Sequence, residues 1–92
     1  MAVVEMTRHL YRFFPQLENR RVTVSAGSVA EVVAAVNQIA PGFSDYLIDE
    51  QGALRRHVHM AINDKVIIDR KQLRDYVAEE DTLFVFQALT GG

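Results

Sequence analysis

Gly91 and Gly92 close the ten residues LFVFQALTGG, and the chemistry they offer is that of an unobstructed carboxyl group. Neither has a β-carbon, so a chain ending in them can thread a slot too narrow for side chains and take backbone angles closed to other residues. At neutral pH the terminal carboxylate is ionised and is a poor acyl donor. It reacts only after activation, for instance as an acyl-adenylate from which a sulfur or amine nucleophile displaces AMP. The bland reading of the same two residues is a frayed chain end.

Other residue types offer less. His57 and His59 stand two apart in an alternating segment, so both imidazoles face the same way, and His9 is a conceivable third metal ligand. No acidic residue shares that strand face, and the metal reading is set aside in favour of half-exposed polar histidines. Arg55, Arg56, His57 and His59 with Lys65 form a short basic cluster, expected to be solvated or to meet an acidic partner surface. A net charge of −2 argues against recruitment of nucleic acid. The absence of cysteine removes disulfides, thiolate metal sites and cysteine nucleophiles together. No pairing of nucleophile and base suggests an enzyme active site, so no catalytic residue and no bound cofactor are expected.

Ninety-two residues, 49% hydrophobic and 24% charged, fit one ordinary globular domain. The start MAVVEMTRHL lacks the layout of a signal peptide, and no apolar run approaches a membrane span. A cytoplasmic location is the resulting expectation.

Positioning the chain end requires a scaffold, and the hydrophobic periods outline one. RHLYRFF, residues 8–14, reads as the body of a first strand that begins somewhere after Val3 and is closed by Pro15, with residues 1–6 extending it or fraying. RRVTVSAG, residues 20–27, reads as a second strand that pairs with it through a loop at 16–19. Ser28-Val29-Ala30-Glu31 fits a capping box, after which Val29, Val32, Val33, Val36 and Ile39 form one helical stripe that Pro41-Gly42 ends. A single helical turn is expected at 44–48. Alternation returns from Arg56, with Val58, Met60 and Ile62 on one side, and Asn63-Asp64 then turns the chain into a short strand at 65–68. Leu73, Tyr76 and Val77 stand at helical spacing within 70–80, which is read as an irregular segment ahead of the acidic turn Glu79-Glu80-Asp81. Residues 82–89 are the last strand.

One main helix crossing a mixed sheet of four to five strands is the β-grasp, or ubiquitin-like, α+β arrangement. Residues 1–89 are expected to form that domain and Thr90, Gly91 and Gly92 a flexible tail. The last strand is apolar on both faces, with Phe84 and Phe86 on one and Leu83, Val85 and Leu89 on the other. Two readings stand side by side: one face is an exposed docking surface, or the strand is central and covered by the irregular segment 43–54.

DTLFVFQALTGG, the AIND of the preceding hairpin, RFFPQLENRRVTV and Ser28-Val29-Ala30-Glu31 together resemble the MoaD/ThiS family of small sulfur carriers over essentially the whole chain. The resemblance implies that a ubiquitin-activating-type adenylyltransferase uses ATP to form an acyl-adenylate on Gly92. Sulfur transfer then makes a thiocarboxylate, which an acceptor enzyme uses to build molybdopterin, cysteine, thiamine thiazole or a related compound. It also implies Leu83 and Val85 inward and Phe84, Phe86 and Leu89 available for partner docking, and a chain that is itself a protein substrate. SDYLIDEQGALRRHVHMAIND looks more like the carriers that feed cysteine synthesis, whereas Thr90 is more usual in the molybdopterin branch. Two further readings are a ubiquitin-like modifier that forms isopeptide bonds through Gly92, and a β-grasp module that binds partners without covalent chemistry.

Overall fold

The segment apolar on both faces takes the middle of the sheet. In the computed structural model, which describes residues 1–87, β1 (Ala2–Met6), β2 (Val22–Val24), β4 (Val58–Ile62), β5 (Lys65–Val66) and β7 (Thr82–Gln87) form one mixed sheet in the order β2-β1-β7-β4-β5. β7 is parallel to β1, with Val4 beside Leu83 and Met6 beside Val85, and antiparallel to β4, with Met60 opposite Val85. A strand paired on both edges leaves no unsatisfied backbone row. A second, two-stranded sheet joins β3 (Gly27–Ser28) to β6 (Tyr76–Val77).

The helix α1 (Val29–Ile39) covers one face of the large sheet and buries Val29, Val32, Val33 and Val36. Its start is the expected capping box: the Glu31 amide donates to Ser28 Oγ at 3.1 Å and the Ser28 amide to Glu31 Oε1 at 2.9 Å. Loss of such a cap costs about 1 kcal/mol. Gly27 belongs to the same device, because a β-carbon there would stand 2.7 Å from Glu31 Oε1. Carbonyls of Leu73 and Asp75 accept from the Ala30 and Val29 amides, so the loop after β5 seats the helix's first turn. The short helix α2 (Phe43–Leu47) follows α1, and its Phe43 and Leu47 join the core.

Three expectations give way. Residues 8–14 are not a strand: a 3-10 turn, Arg8–Arg12, occupies most of this stretch and a second, Pro15–Leu17, follows it. The buried residues are Leu10, Phe14 and Leu17, an i, i+4, i+7 spacing that the clustered aromatics disguise as alternation. The strand lies earlier, at Ala2–Met6, and its antiparallel partner is the shorter Val22–Val24, so residues 7–21 make the connection expected of 16–19. The segment 70–80, read as irregular though Leu73, Tyr76 and Val77 stand at helical spacing, holds a short strand. Leu73, buried at φ +56, sits in the left-handed region, and Tyr76 and Val77 pair with β3. Finally, β5 stops at Val66 because the Ile68 and Asp69 amides turn to the Asp75 carboxylate, at 3.0 and 2.8 Å. The helix and the Asn63-Asp64 reversal stand as read, with Ile62 opposite Lys65; the turn read at 44–48 lies at Phe43–Leu47, and the strand read from Arg56 spans Val58–Ile62.

Candidate functional site

β7 sorts its side chains by the two-residue period of a strand. Leu83 and Val85 point under α1 and are fully buried, while Phe84 and Phe86 stand on the opposite face and remain half-buried. The neighbouring strands furnish that outer face: Ala61 and Glu5 flank Phe84, and His59 lies opposite Phe86. The His59 imidazole stacks on Phe86 with centroids 5.5 Å apart, and Phe84 and Phe86 are tilted at 5.7 Å. The patch is thus a row of three rings beside an alanine, edged by one carboxylate. Aromatic surface of this kind supplies contact area at low entropic cost and dominates the energetics of many interfaces.

The choice between a docking face and a covered strand turns on the segment 43–54. Its α2 packs against α1, and its Phe43 meets Phe14 edge-to-face at 5.3 Å, so the segment adds to the inner side. Among the described residues no element crosses the Phe84–Phe86 face.

The last described residue of β7 is a second feature of the site. Among the described residues the last ladder pair is Val58 with Gln87. On the inner side the Tyr46 hydroxyl donates to Gln87 Oε1 at 3.0 Å. Tyr46 is itself wedged between Phe13, at 5.1 Å, and Phe14, at 5.6 Å. Three segments remote in sequence therefore meet at Gln87, the last described residue of β7. Nothing local in the sequence signals the Tyr46–Gln87 contact, because 41 positions separate the two residues. Leu89, Thr90, Gly91 and Gly92, the remaining residues singled out by sequence, lie outside the described residues.

The histidines do not converge. His57 is exposed at the edge of β4, His59 is held in the aromatic row, and His9 belongs to the 3-10 turn after β1. Among the described residues no group of three or more metal-ligating side chains occurs. The basic cluster divides as well: Lys65 follows the hairpin at the far end of β4 from Arg55 and Arg56. The carboxyl group with the largest perturbation lies away from the site. Asp69 is held down to about 2, chiefly by the Arg74 Nε donor at 2.8 Å and then by the Gln72 amide.

The comparisons agree with this geometry. A family model described as the ThiS family matches residues 9–92. Among curated proteins there is no match by sequence. Three solved structures share the fold. CysO in the BexX/CysO complex of Amycolatopsis orientalis is 23% identical, with a TM-score of 0.84 and all of both chains covered. CysO of Mycobacterium tuberculosis is 22% identical at a TM-score of 0.80, over 97% of this chain and 100% of that one. SAMP1 of Haloferax volcanii is 19% identical at 0.75, over 99% and 98%.

Proposed function

The chain belongs to the ThiS family, and on that premise we propose that it is a sulfur carrier whose Gly92 carboxylate becomes a thiocarboxylate. A carboxylate oxygen of Gly92 attacks the α-phosphorus of ATP on a ubiquitin-activating-type adenylyltransferase, and pyrophosphate leaves. A sulfur nucleophile then attacks the acyl carbon, AMP departs, and the sulfur remains on the carrier until an acceptor enzyme takes it for biosynthesis. ATP is consumed by the partner, and the carrier supplies only the acyl group and the means to be recognised. Thr90 and Gly91 serve as the slender lead to Gly92, and Phe84, Phe86 and Leu89 as the docking contacts.

The observation that carries this reading is a family match that runs through Gly91-Gly92, together with a sheet face of half-exposed aromatic rings on the strand leading to them. Docking through a face and reacting through a terminus are separable tasks, and the chain devotes distinct residues to each. The association of the related CysO with a second protein, BexX, is in keeping with that division.

The test is an intact-mass measurement after incubation with ATP, the activating-type enzyme of the same genome and a sulfur donor. Exchange of one oxygen for sulfur adds about 16 Da by the displacement chemistry above, and deletion of Gly92 abolishes the gain. Full-length protein that acquires neither adenylate nor sulfur under these conditions would sink the proposal. A second reading rests on the likeness to SAMP1, a small archaeal modifier protein. In it the activated Gly92 meets a protein lysine, and isopeptide adducts in lysate disappear with the same deletion.

A further inference from the structure

Of the three side chains that β7 turns toward the helical side, Leu83 and Val85 are apolar and buried, whereas Gln87 is polar and half-buried. An amide group at the rim of a core needs a partner. Gln87 has one in the Tyr46 hydroxyl, which donates to its Oε1 at 3.0 Å. The donor is itself held. The Tyr46 ring lies between Phe13 and Phe14, and its amide donates to the Gly42 carbonyl at 3.0 Å. Asn37 of α1 ties down the start of α2, its Oδ1 accepting from the Gly42 and Ser44 amides at 3.2 and 2.9 Å.

Among the described residues the backbone ladder thins at the same position. The Asn63 amide donates to the Thr82 carbonyl at 2.8 Å, so by the alternation of an antiparallel ladder Ala61 with Phe84 and His59 with Phe86 are hydrogen-bonded pairs. Val58 with Gln87 is then a pair without such bonds, and the Val58 amide donates instead to the Arg55 carbonyl at 3.0 Å. On the other side the Thr7 amide donates to the Val85 carbonyl at 3.1 Å. The Thr7 carbonyl would be the next acceptor of that parallel ladder, but the chain turns into Arg8–Arg12 and it accepts from the Leu10 amide at 3.0 Å. A side chain thus holds Gln87 where both neighbouring strands have let go of it.

We propose that Tyr46 is a positioning residue for the activation of Gly92: its hydroxyl keeps β7 ordered through Gln87, so that the acyl group is offered to the partner from a fixed base. The proposal rests on the carrier reading and adds a residue to it that touches neither ATP nor the acyl carbon. Gln87 directly follows the docking ring Phe86 and stands five positions before Gly92 in the sequence. A reactive group attached to an ordered strand is seated at a lower entropic cost than one attached to a frayed strand. Tyr46 acts on the helical side of the sheet, while Phe84 and Phe86 face the opposite way. Loss of the hydroxyl therefore weakens seating after docking and leaves docking itself in place.

The test follows ATP–pyrophosphate exchange by the activating-type enzyme of the same genome against the concentration of full-length carrier. Tyr46→Phe keeps the ring and removes the hydroxyl; kcat is expected to fall about fivefold, with KM within about twofold of the unaltered protein. Gln87→Leu removes the same bond from its other end and should show the same split. Gln87→Glu still offers an oxygen to the hydroxyl and should keep most of kcat. Because the two residues act through one bond, Tyr46→Phe/Gln87→Leu should be no slower than either single variant. A purely structural role would lower the denaturation midpoint of the variants and leave kcat at saturating carrier unmoved. An unchanged kcat, a rise in KM alone, or losses that add in the double variant overturn the positioning role and leave the carrier reading standing. Absence of exchange with the unaltered protein overturns both.

Discussion

The two faces of β7 are built from similar residues and have different fates. Leu83 and Val85 vanish under α1, whereas Phe84 and Phe86, larger and more apolar in area, stay half-exposed. Hydrophobicity therefore does not distinguish core from contact surface here. What distinguishes them is the supply of covering elements: one main helix and its short successor cover one side of a five-stranded sheet. Apolar surface left over after that closure is available for binding, and its edges are kept soluble by Glu5 and by the polar rim of His59.

Substitution on the inner face separates the two roles most sharply. Leu83→Ala empties a fully buried site, and the expected loss is about 2–5 kcal/mol of stability in chemical denaturation. In a domain of this size that is a large part of the total. A loss below about 1 kcal/mol would mean the inner face is less closely packed than its burial implies. On the outer face the effect moves from folding to binding. Phe86→Ala removes the ring stacked on His59, and the expected cost is about 2 kcal/mol in affinity for the activating-type enzyme, the range of an interface hot spot. Its denaturation midpoint should change far less than that of Leu83→Ala. Equal destabilisation by both substitutions would erase the contrast.

The smallest expected effect concerns the loop that seats the covering helix. Asp69 has a folded-state value lowered to about 2, below its ordinary 3.8, so its contribution is complete above the ordinary value and is lost as pH falls through about 2. Asp69→Asn is expected to lower the thermal midpoint slightly at neutral pH and to match the unaltered protein near pH 2. A difference between the two that persists at pH 2 would assign the effect to shape and not to charge.

Much of the scaffold was legible because its signals are local. Ser28 and Glu31 announce the helix start three residues apart, and Val29, Val32, Val33 and Val36 repeat at the helical period. The strand at 58–62 alternates visibly, and Asn63, at φ +57, takes the left-handed turn that asparagine tolerates. Pairings that join distant parts of the chain were less legible. β1 has three buried residues in succession, so no period betrayed it, and the aromatic run after it drew the strand assignment away. Leu73 looked like a helical core position, yet its burial is achieved at a backbone angle no helix contains. At the site, the outward Phe84 and Phe86 followed from alternation, but the Tyr46 hydroxyl reaches β7 only through the fold.

The parallel pairing of β1 with β7 ties Val3 to Thr82, near opposite ends of the chain. A growing polypeptide therefore cannot close its sheet until the ribosome has released residues 82–87, and contacts of such long sequence span also slow folding. Products of early termination lack the middle strand and expose the edges of β1 and β4 to aggregation or proteolysis. Translation through β7 is thus a condition of folding, and any copy that folds carries the aromatic face.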